Sequence, residues 1–153
     1  MRFKRVEPND PIQAEEIILR RIPEAKMSSD APRRPMPDAF DPHKKDTDGL
    51  SVYREHFHSA EEVCDFRTVS KNKAWVAKLK ASSIFALGLT IEPDPLDEIQ
   101  GQRRKQVGHC LIKEMNAANS KSDKVEQWKR HLAALVLDFD VKGPFDAPSS
   151  TQK

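Results

Sequence analysis

Residues 73–92 constrain the fold more than any other stretch: Lys73-Ala74-Trp75-Val76-Ala77-Lys78-Leu79-Lys80-Ala81-Ser82-Ser83-Ile84-Phe85-Ala86-Leu87-Gly88-Leu89-Thr90-Ile91-Glu92. Trp75 to Leu79 has the branched and aromatic content of a strand. Ser82 or Ser83 can cap a short helix, and Gly88 suits the left-handed position that ends one. Leu89 to Glu92 reads as a second short strand, stopped by Pro93-Asp94-Pro95. A parallel crossover needs a dozen or more residues, usually a full helix. The helix here is too short for a standard one, so the two strands need not be neighbours. The unit fits a small mixed or antiparallel sheet.

The other elements follow from the same kind of pattern. Asp46 to Gly49 is a turn, with glycine where positive φ is needed. Leu50 to Arg54 is a strand with Leu50, Val52 and Arg54 on one side and Ser51 and Tyr53 on the other. Ser59-Ala60-Glu61-Glu62 is a capping box. It opens a helix over about 60–66, with Val63 and Phe66 on its buried face. Ile17 to Ile22 reads as a strand closed by Pro23, with a short helix as the competing reading. Residues 23–49 carry five prolines and no apolar period, and so form a long irregular connection that Phe40 pins to the core. A polar loop over 94–106 leads into a strand at 107–112. The last helix spans about 123–138, capped by Ser122 or Asp123, with Val125, Trp128, Leu132 and Leu135 as its buried stripe. Replacing Trp128 by alanine costs about 3–5 kcal/mol if it is fully buried. Residues 1–14 read as a flexible arm and 142–153 as a disordered tail, since Gly143-Pro144 ends the pattern. The expectation is one α+β domain over 15–141. Its sheet has four to five strands (17–22, 50–54, 74–79, 89–92, 107–112) and two to three helices.

Composition narrows the function class. Of 153 residues, 37% are hydrophobic and 33% charged, so part of the chain is solvated and the folded part is smaller than the whole, roughly 120–130 residues. The formal net charge of +2 carries no strong electrostatic case for nucleic acid. Arg103, Arg104 and Lys105 are the one basic run, more simply a solvated loop than a phosphate-binding patch. There is no apolar leader near Met1 and no membrane-spanning run, which points to a cytoplasmic protein. Two cysteines, Cys64 and Cys110, make no disulfide framework and sit most simply as buried apolar residues.

The chemistry-bearing residues assemble into no complete motif. His56 and His58 point the same way on a strand, and Cys64, His109 and Cys110 could complete a zinc set. No ligand spacing of the usual kind is present, so no metal is expected. Asp46-x-Asp48-Gly49 imitates a calcium loop, but Lys44 stands where the first ligand belongs. His109 and Cys110 face opposite sides of a strand and cannot form a dyad, while Cys64 with His109 remains open. Ser51 lacks a Gly-x-Ser-x-Gly elbow, which argues against a serine hydrolase. His109, behind Gly108 on an apolar strand, can titrate near neutral pH and is the single residue most worth mutating.

Two resemblances add to this. An early-strand Arg20 or Arg21, a middle-strand Ser51 and a late Glu114 loosely resemble the order of parts in ADP-ribosyltransferase-like domains. That resemblance implies an enzyme using NAD. Arginine would fork onto the phosphates or ribose, and Glu114 would stabilise a cationic transition state. Leu50-Ser51-Val52 departs from the family's Ser-Thr-Ser, and Lys113-Glu114-Met115 lacks its paired acidic or amide residue. Separately, Asp46 to Arg54, Leu87-Gly88-Leu89, Pro93-Asp94-Pro95 and Gly108-His109-Cys110-Leu111-Ile112 are similar to a family of small uncharacterised bacterial proteins, over about residues 17–135. That likeness implies a bacterial, intracellular source. Its usual form has alanine where Cys110 stands, which argues against an essential thiol.

The leading expectation is an accessory or regulatory protein acting through protein binding, with the 23–49 loop and Phe40, Asp48, Tyr53 and Arg54 as the contact set and no cofactor. The alternative is the NAD-using enzyme, with Arg21, Ser51, His109 and Glu114 as its catalytic set. The alternative requires Arg21, Ser51 and His109 to line one cleft that a carboxylate reaches.

Overall fold

The computed structural model describes residues 6–29, 33–42, 47–65, 74–96, 106–136 and 141–145. The elements run β1 (Ile17–Pro23), β2 (Leu50–Arg54), α1 (Ala60–Asp65), β3 (Ala74–Lys80), α2 (Ala81–Ala86), β4 (Glu92–Pro93), β5 (His109–Ile112), α3 (Asp123–Leu135) and β6 (Val141–Phe145). Short 3-10 turns sit at Glu24–Lys26, Pro37–Phe40 and Ala117–Asn119. The strands form one sheet in the order β4-β5-β2-β1-β3-β6, and every pair is antiparallel. The chain is therefore α+β, and the antiparallel form of the expected sheet is the one adopted.

Four of the five expected strands are present, with adjusted bounds. The one expected over 89–92 is corrected: Leu89 to Ile91 are not strand, and β4 is the two residues Glu92–Pro93, which include the proline read as its stop and pair with Leu111 and Cys110. The sixth strand was unforeseen. Gly143 and Pro144, which read in the sequence as the end of order, lie inside β6, which pairs with β3. An edge strand tolerates proline because only one of its sides is paired. Residues 142–145, read as tail, are thus strand, and residues 146–153 lie outside the described residues. The N-terminal arm is corrected too. Ile12 is buried, and the carbonyls of Glu7, Pro8 and Asp10 accept hydrogen bonds from Arg54.

Alternation sorts the strand residues onto two faces. Ile18, Ile22, Leu50, Val52, Ala77, Leu79, Cys110 and Ile112 share one face and form the main core with Phe40, Ile84, Val125 and Leu132. Leu19, Ala74 and Val76 on the other face pack with Val63 and Cys64 of α1. Phe66, expected beside Val63, lies outside the described residues. Gly49 adopts φ +143°, and a Cβ there would meet the Ile112 carbonyl oxygen at 2.8 Å; Asp46, the start of the expected turn, lies outside the described residues.

The helix ends show which local signals act. Ser59 and Glu62 form the capping box: the Glu62 amide donates to Ser59 Oγ and the Ser59 amide to Glu62 Oε1. Ser122 Oγ accepts from the Val125 amide and caps α3. Neither Ser82 nor Ser83 caps α2. The helix starts at Ala81, and the amides of Ala81 and Ser82 donate to the carbonyls of Glu16 and Ala14. The incoming chain satisfies those donors instead of a side chain.

α3 ends at Leu135, and its stripe is shifted. Val125 and Leu132 are buried, Trp128 is half-buried and Leu135 is 37% exposed. Lys129 takes the fourth place, because it lies four residues after Val125 and three before Leu132. Its stem is buried while its ammonium meets Asp38, Asp41 and Glu126 at 3.7, 3.3 and 2.8 Å. Burial opposes that charge, but the hydrogen bonds to Glu126 and Asp41 outweigh it and raise the Lys129 pKa.

Candidate functional site

The half-open face of the sheet carries a polar cluster built by two paired strands. Register in the β2–β5 pair sets Tyr53 opposite His109 and Ser51 opposite Leu111. His109 therefore lies diagonal to Ser51, within reach of a side-chain contact. Its Nε2 is 3.0 Å from Ser51 Oγ. Its Nδ1 is 3.0 Å from the Asp94 carbonyl oxygen and 3.2 Å from Asp94 Oδ2. Both Asp94 groups are acceptors, so the partners assign the proton to Nδ1. Nε2 then accepts from the Ser51 hydroxyl. The histidine ring is buried and the Asp94 side chain is 46% exposed. Asp94, Pro93 and β4 hold the open edge of β5, and the Asp94 amide donates to the His109 carbonyl.

Tyr53 is in ring contact with two histidines. Its ring meets His109 edge-on at 5.4 Å and His58 at 6.1 Å. Its hydroxyl donates to Gln106 Oε1 at 3.2 Å. His58 Nε2 accepts from the Gly108 amide at 2.9 Å, and its Nδ1 lies 3.6 Å from Glu62 Oε2. Gly108 is glycine for a physical reason: a Cβ would come within 2.7 Å of the His58 ring and 2.9 Å of Phe57.

The arginines divide by parity. Arg21 belongs to the face of Leu19, Ser51 and His109 and is partly exposed. Arg20 points into the opposite, covered face. The β1–β2 register runs only through Ile18 with Arg54 and Leu19 with Tyr53. Arg20 takes over beyond it: Nη1 donates to the Ser51 carbonyl at 2.9 Å and Nε to the Ala39 carbonyl at 3.2 Å. It holds the Ser51 backbone from behind.

Glu114 does not join the cluster. Its carboxylate accepts from the Thr90 amide at 2.9 Å and the Thr90 hydroxyl at 2.7 Å, beyond the far end of β5. The carboxylate that reaches His109 is Asp94. The contact set expected for protein binding also divides. Phe40 is core and Arg54 is 0% exposed, so neither side chain can meet a partner. Arg54 makes a two-armed pair with Glu16, 2.8 Å on each arm. Tyr53 belongs to the histidine cluster, and Asp48 alone is exposed on the surface. Arg103, Arg104 and Lys105 lie outside the described residues.

Asp94, His58 and Gln106 are the members that sequence reasoning missed. Pro93-Asp94-Pro95 reads as a strand stop, and nothing in it shows that the aspartate faces back onto β5. His58 reads from the sequence only as a candidate metal ligand. Cys110, adjacent to His109, is buried on the other face. Burial pushes its thiol up to about 12, against the pull of the Arg54 charge, so it is inert as a nucleophile at neutral pH. Among the described residues, no group of three or more His, Cys, Asp and Glu side chains is placed to hold a metal ion. Among them, too, no helix is long and apolar enough to cross a membrane. No family model, curated protein or solved structure matches the chain.

Proposed function

We propose that the protein is a small serine-dependent hydrolase acting on a carboxylic ester or a related acyl compound. Ser51 is the nucleophile, His109 the general base and Asp94 the group that orients the imidazole. One observation carries this reading: the unbroken run from Asp94 Oδ2 through His109 to Ser51 Oγ, with contacts of 3.2 and 3.0 Å. A Ser–His–Asp relay is recognised by geometry and tautomer and recurs on unrelated folds. The absent elbow motif therefore does not decide against it.

The chemistry runs in two balanced steps. Ser51 Oγ bonds to the acyl carbon while its proton passes to His109 Nε2. The imidazolium then gives that proton to the departing alcohol. In the second step water loses a proton to His109 and attacks the acyl-Ser51 ester, releasing the carboxylic acid and restoring the hydroxyl. Asp94 stays ionised and stabilises the imidazolium.

The test is covalent labelling of the full chain with a fluorophosphonate probe, read by intact mass and peptide mapping. One adduct on Ser51, lost in Ser51→Ala and His109→Ala, supports the hydrolase. An unlabelled wild type, or an adduct elsewhere, removes it. The NAD-using alternative draws support from Arg21 and Ser51 sharing one face, though Glu114 is engaged with Thr90. NAD binding that is lost in Arg21→Ala is the result that would put it first. Protein binding draws support from the exposed Met36, Thr47 and Asp48 on the irregular connection. It is the reading left if neither probe nor NAD engages the site.

A further inference from the structure

Gly108, the residue just before His109, is held at both of its backbone polar groups. The Gly108 carbonyl accepts from the Arg54 amide at 2.9 Å. The Gly108 amide donates to His58 Nε2 at 2.9 Å, a buried bond. The residue after it carries the imidazole of the relay. Contact is close enough that a single added Cβ at Gly108 would strike the His58 ring.

We infer that His58 is a positioning residue for His109 and does this work only in its neutral form. An imidazole accepts a hydrogen bond at Nε2 only when that nitrogen has no proton. Protonated His58 would present a donor to the Gly108 donor. The bond would be lost, and β5 would be released at the residue that sets the His109 ring against Ser51.

Among the described residues, titratable groups from three elements contact His58 or its ring neighbour Tyr53. Glu62 of α1 faces Nδ1 at 3.6 Å. Tyr53 of β2 lies edge-on to the ring. His109 of β5 meets the same Tyr53 ring edge-on. Glu62 also closes the capping box of α1, so the start of that helix is joined to the start of β5 through one histidine ring. Tyr53 meets both histidines, so a shift of one ring is felt by the other.

For its activity readout this inference rests on the hydrolase reading; its spectroscopic readout rests on geometry alone. In an amide-resolved NMR titration of the full chain, the Gly108 cross-peak moves with the midpoint of the His58 ring. A Gly108 amide that ignores His58 overturns the inference, whether or not Ser51 reacts. Labelling supplies the second arm. The wild-type rate constant for Ser51 labelling falls with a limiting slope of two against pH on the acid side, because both histidines must be neutral. Glutamine places an acceptor oxygen near the position of Nε2 and cannot be protonated. His58→Gln therefore keeps the rate at pH 8 and shows a slope of one. His58→Leu, which fills the space without an acceptor, lowers the rate by about 100-fold, the scale of a displaced catalytic group. A slope of two retained in His58→Gln overturns the inference. If wild type does not label at all, the hydrolase reading fails and the Gly108 titration alone decides.

Discussion

On the face that carries Leu50, Val52, Cys110 and Ile112, every side chain of β1, β2 and β5 is buried. On the face that carries Ser51, Tyr53, His109 and Leu111, only Leu19 and His109 are. The two faces come from the same strands and differ only by the parity of the residue. The covered face is apolar apart from Arg20 and Arg54, whose guanidinium groups are hydrogen-bonded. The half-open face carries hydroxyl, imidazole and carboxylate groups in contact with one another. Antiparallel sheets with one face packed and one face wet are the rule. Here the wet side has gained a buried histidine, and function is proposed at that departure.

The sharpest way to break this comparison is a pair of substitutions on one strand. His109→Ala lowers the Ser51 labelling rate by about 10⁴-fold, or about 5 kcal/mol of transition-state energy. Ile112→Ala, three residues on and across the sheet, leaves the labelling rate of folded protein unchanged. It lowers stability by about 2–5 kcal/mol, read from urea unfolding. If both variants lose stability and neither changes reactivity, the two faces differ only in packing and the site is not one.

The covered face has its own test at Arg54. Both arms of its guanidinium are used by Glu16, and a third set of bonds gathers the N-terminal arm. Arg54→Ala leaves the Glu16 carboxylate at 13% exposure without its partner and costs about 3–5 kcal/mol. The half-exposed Lys78–Glu55 pair, at 2.6 Å, is the control. Lys78→Ala costs under about 1 kcal/mol, because water screens it. Equal losses at the two sites would mean that the arm is not anchored through Arg54.

How much of this was legible in the sequence depends on the range of the interaction. Alternation in Leu50 to Arg54 assigned each side chain to its face, and the Ser59–Glu62 box set the start of α1, because both signals are local. Pairing Ser51 with His109 needed the register of strands nearly sixty residues apart, which no periodicity encodes. Asp94 was hidden by the prolines on either side of it. They read as a stop, and the direction of the side chain between them is set by β4 joining the edge of β5. The edge strand at 141–145 was hidden by Gly143 and Pro144 in the same manner. On α3 the apolar pattern chose Leu135 over Lys129, although the lysine occupies the buried position and meets three carboxylates there. A smaller effect follows from that shift. Trp128 is half-buried and donates from Nε1 to the Leu87 carbonyl at 3.2 Å. Trp128→Ala therefore costs about 1–3 kcal/mol in urea unfolding, below the range for a fully buried tryptophan.

The smallest effect separates two adjacent residues, His109 and Cys110, that sit on opposite faces. Burial above all, with the Glu16 and Asp94 charges, holds the Cys110 thiol protonated against the pull of Arg54, its pKa raised from 9.0 to about 12. Below about pH 9 the thiol is neutral in folded and unfolded chains alike. Between pH 9 and 12 only the unfolded chain ionises, so unfolding releases a proton. Stability then falls by up to about 1.4 kcal/mol for each pH unit. Cys110→Ala removes that slope, so the two stability curves converge as pH rises from 9. The substitution leaves Ser51 labelling at pH 8 unchanged, because the thiol lies on the opposite face and its contact toward the site, from Sγ to the Gly108 carbonyl oxygen, is long at 3.5 Å. Parallel stability curves would mean that the thiol is reached by water. A labelling rate that fell in Cys110→Ala would mean that the two faces are coupled through β5, and the division between a packing face and a reacting face would have to be given up.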